Sequence, residues 1–384
     1  MTDINSYYPH KSSRELRASL LLFQLLSYPL LVRMALFAWQ IFRFFRLPVA
    51  PFVRFTGYYQ FCAGKDVASS AAVTSKMAAF GVKSVLDYAN EHATNETGFE
   101  DNTAVILQTI GAAAQNDTYP FAVLKPTAIG AFSLFEKKSN GIALSDLEVA
   151  AWERTKNRLE DCATLAAESS IVLMIDAEES WIQSGVDALV LPLMKKYNQK
   201  RVVVAITLQL YLKGTFDTYK KLSTEAKDYF LGVKLVRGAY MEKERQRAQT
   251  LGIPSPVCDT KAQTDMQYRQ ALELALENLS RNFCIVATHN ESDIDWVVQA
   301  CKQRDIATNH KNLWFSQLYG MRDYTSFSLS SSGANVFKYV PFGPLEKSIP
   351  YLIRRALENS SMKTQTAQEQ TMIKKELRLR KVNA

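Results

Sequence analysis

The sequence predicts an α/β chain built as a distorted (βα)8 TIM-like barrel with an N-terminal helical extension. Two observations carry this. Short β-branched or apolar runs recur eight times, and segments with helical periodicity and a polar face alternate with them. Chemically able residues also follow the runs in phase, as they do where active groups collect at the carboxyl ends of barrel strands. Eight alternations suit one parallel sheet closed by right-handed crossovers; a doubly wound sheet usually has fewer.

In chain order the runs are Ser84–Tyr88, Phe121–Leu124, Ile171–Ile175, Arg201–Leu208, Gly232–Val236, Phe283–Ala287, Leu313–Phe315 and Val336–Val340. The helical segments are Thr103–Gln115, Asp146–Glu168, Trp181–Tyr197, Thr218–Tyr229, Thr264–Arg281, Ser292–Arg304, a weak Ser/Thr-rich piece at Asp323–Ser332, and Leu345–Glu358. The strand ends carry Asp87, Lys125, Asp176 with Glu178, Gln209, Arg237 with Tyr240, His289 with Asn290, Gln317 and Tyr339. One such residue alone reads as a cap or loop hydrogen bond, the default for Asp87 and Asn290; eight in phase argue for a polar pocket. The expected organisation is a helical arm over 1–78, the barrel over 79–359 and a basic tail over 360–384, a solvated helix or a disordered end.

Composition sets the outer limits. The 384 residues are 47% hydrophobic with 15 Gly and 12 Pro, which excludes collagen-like, low-complexity and wholly disordered chains. The net charge of +8 sits towards the ends: residues 1–10 carry −1, residues 11–65 carry +7 and residues 359–384 carry +4, leaving −2 for 66–358. A nucleic-acid binder would spread basic residues along its folded body with aromatics between them, so no nucleic-acid partner is expected. Five cysteines without a C-x-x-C point to neither a disulfide framework nor a zinc ribbon, and so to a reducing compartment.

The basic N-terminal stretch is also apolar. Its longest uncharged run, Ala18 to Val32, is broken by Pro29 and closed by Arg33, short of the ~20 residues that span a bilayer. It lacks the form of a cleaved signal. Residues 14–46 read either as helices packed on a core or as an interfacial element whose arginines meet anionic head groups while Phe, Leu and Trp enter the acyl boundary.

No G-x-G-x-x-G, P-loop, H-E-x-x-H or G-x-S-x-G motif is present. Of His10, His92, His289 and His310 only His289 follows a strand, so no metal is expected, although Asp176 with Glu178 could hold magnesium. Lys125 or Lys234 could form a Schiff base, as in an aldolase-type barrel. The last predicted helix is the most informative: Tyr351, Arg354, Arg355 and Glu358 are spaced i, i+3, i+4 and i+7 and share one face. Adjacent arginines repel unless anions pair with them. Glu358 can take one, most simply Arg354 four residues before it, and a small carboxylate ligand suits the other.

Tyr351-Leu-Ile-Arg354-Arg355-x-x-Glu358 resembles the carboxyl-terminal signature of the proline dehydrogenase family. Lys234-Leu-Val-Arg237-Gly238-Ala239-Tyr240, Ala287-Thr288-His289-Asn290, Phe315-Ser-Gln317-Leu318-Tyr-Gly320-Met321 and Ile175-Asp176-Ala-Glu178 resemble its fifth-, sixth-, seventh- and third-strand motifs. Lys125-Pro126-Thr127 departs from the family, which often has Leu after that lysine, and Lys234 stands where some relatives have Arg. The resemblance implies a flavoenzyme that holds FAD noncovalently, oxidises L-proline to Δ1-pyrroline-5-carboxylate and passes electrons to a membrane quinone. It implies that Arg354 and Arg355 bind the proline carboxylate beside Glu358, that Lys125 and Asp176 line the substrate side, and that Tyr240, Leu318, Tyr339 and Tyr351 enclose the ring. Gln209, Lys234, Arg237, Gly238, Ala239, Thr288 and His289 would contact the flavin. A cation from Lys234 or Arg237 would favour the reduced anionic ring. The quinone gives the N-terminal arm a reason to touch a membrane from a cytoplasmic or matrix-like space. The alternatives are a dehydrogenase of hydroxyproline or another cyclic imino acid, the Schiff-base lyase, and a membrane-bound binding protein without catalysis.

Overall fold

All eight apolar runs form strands: β1 Val82–Tyr88, β2 Phe121–Leu124, β3 Val172–Ile175, β4 Val204–Gln209, β5 Leu231–Val236, β6 Asn282–Ala287, β7 Leu313–Leu318 and β8 Val336–Phe342. In this computed structural model, which describes residues 6–44, 57–90, 93–361 and 363–382, they make one parallel sheet in the order β1-β8-β7-β6-β5-β4-β3-β2, a nearly closed barrel with helices between the strands. Phe45, Arg46, Arg54 and His92 lie outside the described residues. The strands are Val/Ile/Leu-rich and buried on both faces, as an all-parallel sheet requires. β4 starts later than its apolar run because Asn198 Oδ1 accepts the Val203 and Val204 amides at 2.8 and 2.9 Å.

The chain folds as two compact units, one of residues 91–316 and one of residues 1–90 with 317–384. The first holds β2 to β6 and most of β7, in an unbroken parallel ladder from Phe121↔Val172 to Ala287↔Ser316. Its helices start where side chains satisfy the first free amides. Asn95 accepts the Gly98 amide at 2.9 Å and so opens Glu96–Gln115 seven residues before the apolar period does. Met241–Leu251 escapes sequence patterning because it is almost wholly polar; only Glu244 and Ala248 are buried.

The second unit pairs β1 with β8 over seven residues, Val82↔Val336 to Tyr88↔Phe342. Asp323–Ser331 (α3) packs on this pair, and helices Ser13–Leu26 (α1), Pro29–Phe44 (α2), Leu345–Ser361 (α4) and Lys363–Val382 (α5) pack on one another. The stretch from 360 carries more than a solvated tail: Thr366, Glu369, Ile373 and Glu376 of α5 are buried. Glu376 accepts the Tyr7 amide at 2.8 Å, and Arg380 donates to the Tyr8 and Lys11 carbonyls at 2.8 and 2.7 Å.

The N-terminal helices pack on a core through one side. Leu16, Phe23, Leu26 and Val32 are buried in a cluster with Tyr58, Phe61, Met321, Tyr351 and Ile373. The opposite side leaves Leu21, Leu25, Tyr28, Leu30, Leu31, Met34 and Phe37 exposed, Leu30 by 70%. Among the described residues no single helix is long and apolar enough to cross a membrane; α1 and the start of α2 pass that test together but bend by 95° between them.

Candidate functional site

In the unit of residues 91–316 the expected side chains cluster through carboxylates. Lys125 stands at the end of β2 and precedes a short helical turn, Pro126–Ile129. Pro126 occupies the first helical position, where its fixed φ and missing N–H do no harm, so the departure from the family at this residue is accommodated. Glu178 is buried, and accepts the Thr127 amide at 3.0 Å and the Thr127 hydroxyl at 2.6 Å. Gln209 donates its side-chain amide to the Glu178 carbonyl at 2.7 Å. Burial, only partly offset by the Thr127 bonds, pushes the Glu178 carboxyl up to about 7.

Lys234 Nζ lies 2.5 Å from Asp176 Oδ1, with both side chains largely withdrawn from water. Arg237 is held on two sides, by Asp293 (2.8 Å from Nη2, 3.2 Å from Nε) and by Asp265, above the Tyr268 ring at 5.2 Å. The cations expected to favour a reduced flavin therefore each carry a carboxylate of their own, which cancels part of their field. Gly238 is fixed by geometry: at φ +135° a Cβ there would lie 1.7 Å from the Tyr211 ring. Gly238 and Ala239 are exposed, Tyr240 and His289 are half-buried, and Thr288 is buried with its hydroxyl accepting the Asn290 amide at 3.1 Å. Asn290 in turn accepts the Ser292 amide at 3.1 Å, the cap role expected of it.

In the unit of residues 1–90 and 317–384, Tyr339 is buried on β8, 6.0 Å from Phe337, and its carbonyl accepts the Tyr319 amide at 2.8 Å. Leu318, at the end of β7, is half-buried. Gly320, at φ +75°, lets the chain pass Gln60, which donates to the Gly320 carbonyl at 2.7 Å; a Cβ there would meet the Gln60 carbonyl oxygen at 1.9 Å. On the closing helix α4, Tyr351 and Arg355 are buried while Arg354 and Glu358 are half-buried. The face foreseen from the i, i+3, i+4, i+7 spacing thus turns away from bulk water. Within this face Glu358 pairs with Arg355 three residues back, and the Arg355 guanidinium also stacks 5.4 Å over the Tyr351 ring. The ring draws Arg355 to the buried side of the helix, where the carboxylate meets it. Tyr351 Oη and Arg355 Nε are buried and make no hydrogen bond among the described residues. Desolvation of that kind is costly without a partner, so the donors suit a small polar anion.

The buried charges beside these groups belong to no motif singled out in the sequence. Asp323, at the start of α3, meets Lys338 Nζ and Lys11 Nζ at 3.0 Å each and His10 Nε2 at 3.3 Å. Lys338 also donates to the Met321 carbonyl at 2.5 Å. The available signal was a lysine inside a strand apolar on both faces. Among the described residues no group of three metal-ligating side chains converges.

The model of the family described as proline dehydrogenase matches residues 71–368. The chain belongs to this family. With it, the chain is an oxidoreductase acting on the CH–NH group of proline, which sets aside the lyase and the non-catalytic binding protein. Among similar proteins, the carbapenem antibiotics biosynthesis protein CarD of Pectobacterium carotovorum subsp. carotovorum is 33% identical over 82% of this chain and 82% of its own length. Proline dehydrogenase 1, mitochondrial, of Dictyostelium discoideum is 30% identical over 87% of this chain and 66% of its own. The hydroxyproline dehydrogenase of Xenopus laevis is 27% identical over 97% of this chain and 88% of its own. Of solved structures, proline utilization A from Bdellovibrio bacteriovorus inactivated by N-propargylglycine superposes with a TM-score of 0.68 at 21% identity, over 79% of this chain and 32% of that one.

Proposed function

We propose that the chain oxidises L-proline to Δ1-pyrroline-5-carboxylate by hydride transfer to a noncovalently held FAD, with electrons passing on to a membrane quinone. The observation that supports this best is the buried guanidinium of Arg355 on the closing helix, with Nε and the neighbouring Tyr351 hydroxyl lacking hydrogen-bond partners among the described residues. Arg354 and Arg355 would bind the carboxylate, Glu358 would hold Arg355 in position, Lys125 and Asp176 would line the substrate side, and Tyr240, Leu318, Tyr339 and Tyr351 would wall the ring. The donor set fits a flavin: Gln209, Thr288 and His289 offer amide, hydroxyl and imidazole groups, Lys234 and Arg237 offer cations for a pyrophosphate, and Gly238 and Ala239 offer exposed backbone. When bound, FAD supplies the hydride acceptor; the side chains supply orientation, since no strong acid or base is needed once the ring nitrogen is neutral. All five cysteines are buried free thiols, in keeping with a reducing cytoplasmic or matrix-like compartment.

The test is spectroscopic. Protein purified or reconstituted with FAD is expected to show flavin absorbance that L-proline bleaches without oxygen; no flavin uptake under any reconstitution condition would remove the reading. A second reading, hydroxyproline as substrate, is favoured by the Xenopus laevis relative, and comparison of kcat/KM for the two imino acids decides between them.

The exposed side of α1 and α2 supports peripheral membrane contact, with exposed Arg14, Arg17 and Arg33 flanking its leucines and Phe37. Deleting 14–46 would also remove buried Leu16, Phe23 and Leu26, so point changes are the cleaner probe. The double variant Leu30→Glu, Phe37→Glu is expected to weaken cosedimentation with phosphatidylglycerol-containing vesicles at least about tenfold at unchanged thermal stability. Equal binding by variant and parent would dismiss the interfacial role.

A further inference from the structure

We propose that Glu178 is a positioning residue for this reaction, clamping the Lys125–Thr127 turn so that Lys125 is presented in one orientation at the end of β2. The inference deepens the proposed function and rests on it through Lys125. Three observations carry it. Lys125 makes no side-chain cap on the turn that follows it, and Pro126 has no N–H, so Thr127 bears the first amide of that turn. That amide and the Thr127 hydroxyl both donate to Glu178, at 3.0 and 2.6 Å, which uses both carboxylate oxygens. The Glu178 carbonyl meanwhile accepts from Gln209 at 2.7 Å, so one residue of the segment after β3 fastens the ends of β2 and β4.

A neutral amide or a protonated carboxyl offers only one good acceptor, so the two-bond clamp belongs to the ionised form. The groups bearing on that ionisation are Thr127 from the β2 turn, Lys125 at the end of β2, which favours the charged form, and Glu179 beside it in the chain, which opposes it. Burial dominates and brings the titration to about 7, so the clamp forms as pH rises through neutrality. In the sequence Glu178 stands only as a possible magnesium ligand beside Asp176; its work is done through Lys125.

The experiment uses the FAD-loaded protein with L-proline. Glu178→Gln is expected to lower kcat/KM by about tenfold and to remove an ionisation near pH 7 from its rising limb. In a Lys125→Met background the same change is expected to cost less than about twofold, because the clamp then has nothing to orient. Thr127→Val, which deletes one of the two bonds, should reproduce part of the loss, and Thr127→Ser should restore it; this pair also decides the matter if Glu178→Gln fails to fold. Independent, multiplying losses in the double variant, or an unchanged pH profile with equal activity of Thr127→Val and Thr127→Ser, would overturn the proposal. A parent protein that takes up FAD but does not oxidise proline would instead refute the proposed function itself.

Discussion

Asp323→Ala is expected to destabilise the fold by about 3–5 kcal/mol, read as a fall in the urea midpoint. The carboxylate is 1% exposed and stands between three buried nitrogen groups, of which Lys338 is wholly without solvent. Removing it leaves an ammonium in the interior whose one remaining strong contact is with carbonyl oxygens, and an uncompensated buried charge is among the costliest single defects. Burial alone would raise the Asp323 carboxyl, but Lys11 and Lys338 overcome it and hold it well below the usual carboxylate range. A group whose folded value is depressed contributes stability that is fully present above its unfolded value, about 4, and is lost as pH falls through the folded one. The gap between parent and variant should therefore be constant from neutrality down to about pH 4 on this account and close below it. Replacing the pair together, as Asp323→Leu with Lys338→Met, should recover part of the loss, because apolar side chains of similar volume have no hydration to give up. A loss under about 1 kcal/mol for the single alanine variant would mean that water reaches Lys338 and screens the cluster.

The barrel was legible in the sequence because a parallel sheet covered by helices demands continuous apolar strands, and those eight runs cannot be mistaken for amphipathic helix. Helix limits were less so: Glu96–Gln115 starts at a cap, and Met241–Leu251 has no apolar stripe to reveal it. The closing-helix face was readable from spacing alone, since 3.6 residues per turn fix which side chains are neighbours. Spacing did not fix the partner. Glu358 stands within reach of residues three and four before it, and it meets Arg355, whose guanidinium also stacks on the Tyr351 ring. Tertiary contacts between distant segments were beyond the pattern: nothing local says that Asp293 and Asp265 will meet Arg237, or that Glu376 of α5 will receive the amide of Tyr7.

Arg355→Met is expected to lower kcat/KM for L-proline by roughly 10- to 150-fold, mostly through KM, from loss of a charge-assisted hydrogen bond worth ~1.5–3 kcal/mol. The substitution keeps much of the aliphatic stem and removes the guanidinium, but it also frees Glu358 and strips the cation from the Tyr351 ring, so a drop in activity alone would not prove carboxylate binding. Pyrrolidine separates the two effects, being the same ring without the acid. If Arg355 grips the carboxylate, the variant's kcat/KM for pyrrolidine stays near the parent's while that for proline falls; if Arg355 only braces the helix, both fall together. Glu358→Gln supplies the complementary measurement. It releases Arg355 from its internal partner but leaves the guanidinium in place, and so should affect proline less than Arg355→Met does. Parallel losses on both substrates for Arg355→Met would move the carboxylate to another cation and leave the closing helix a structural role.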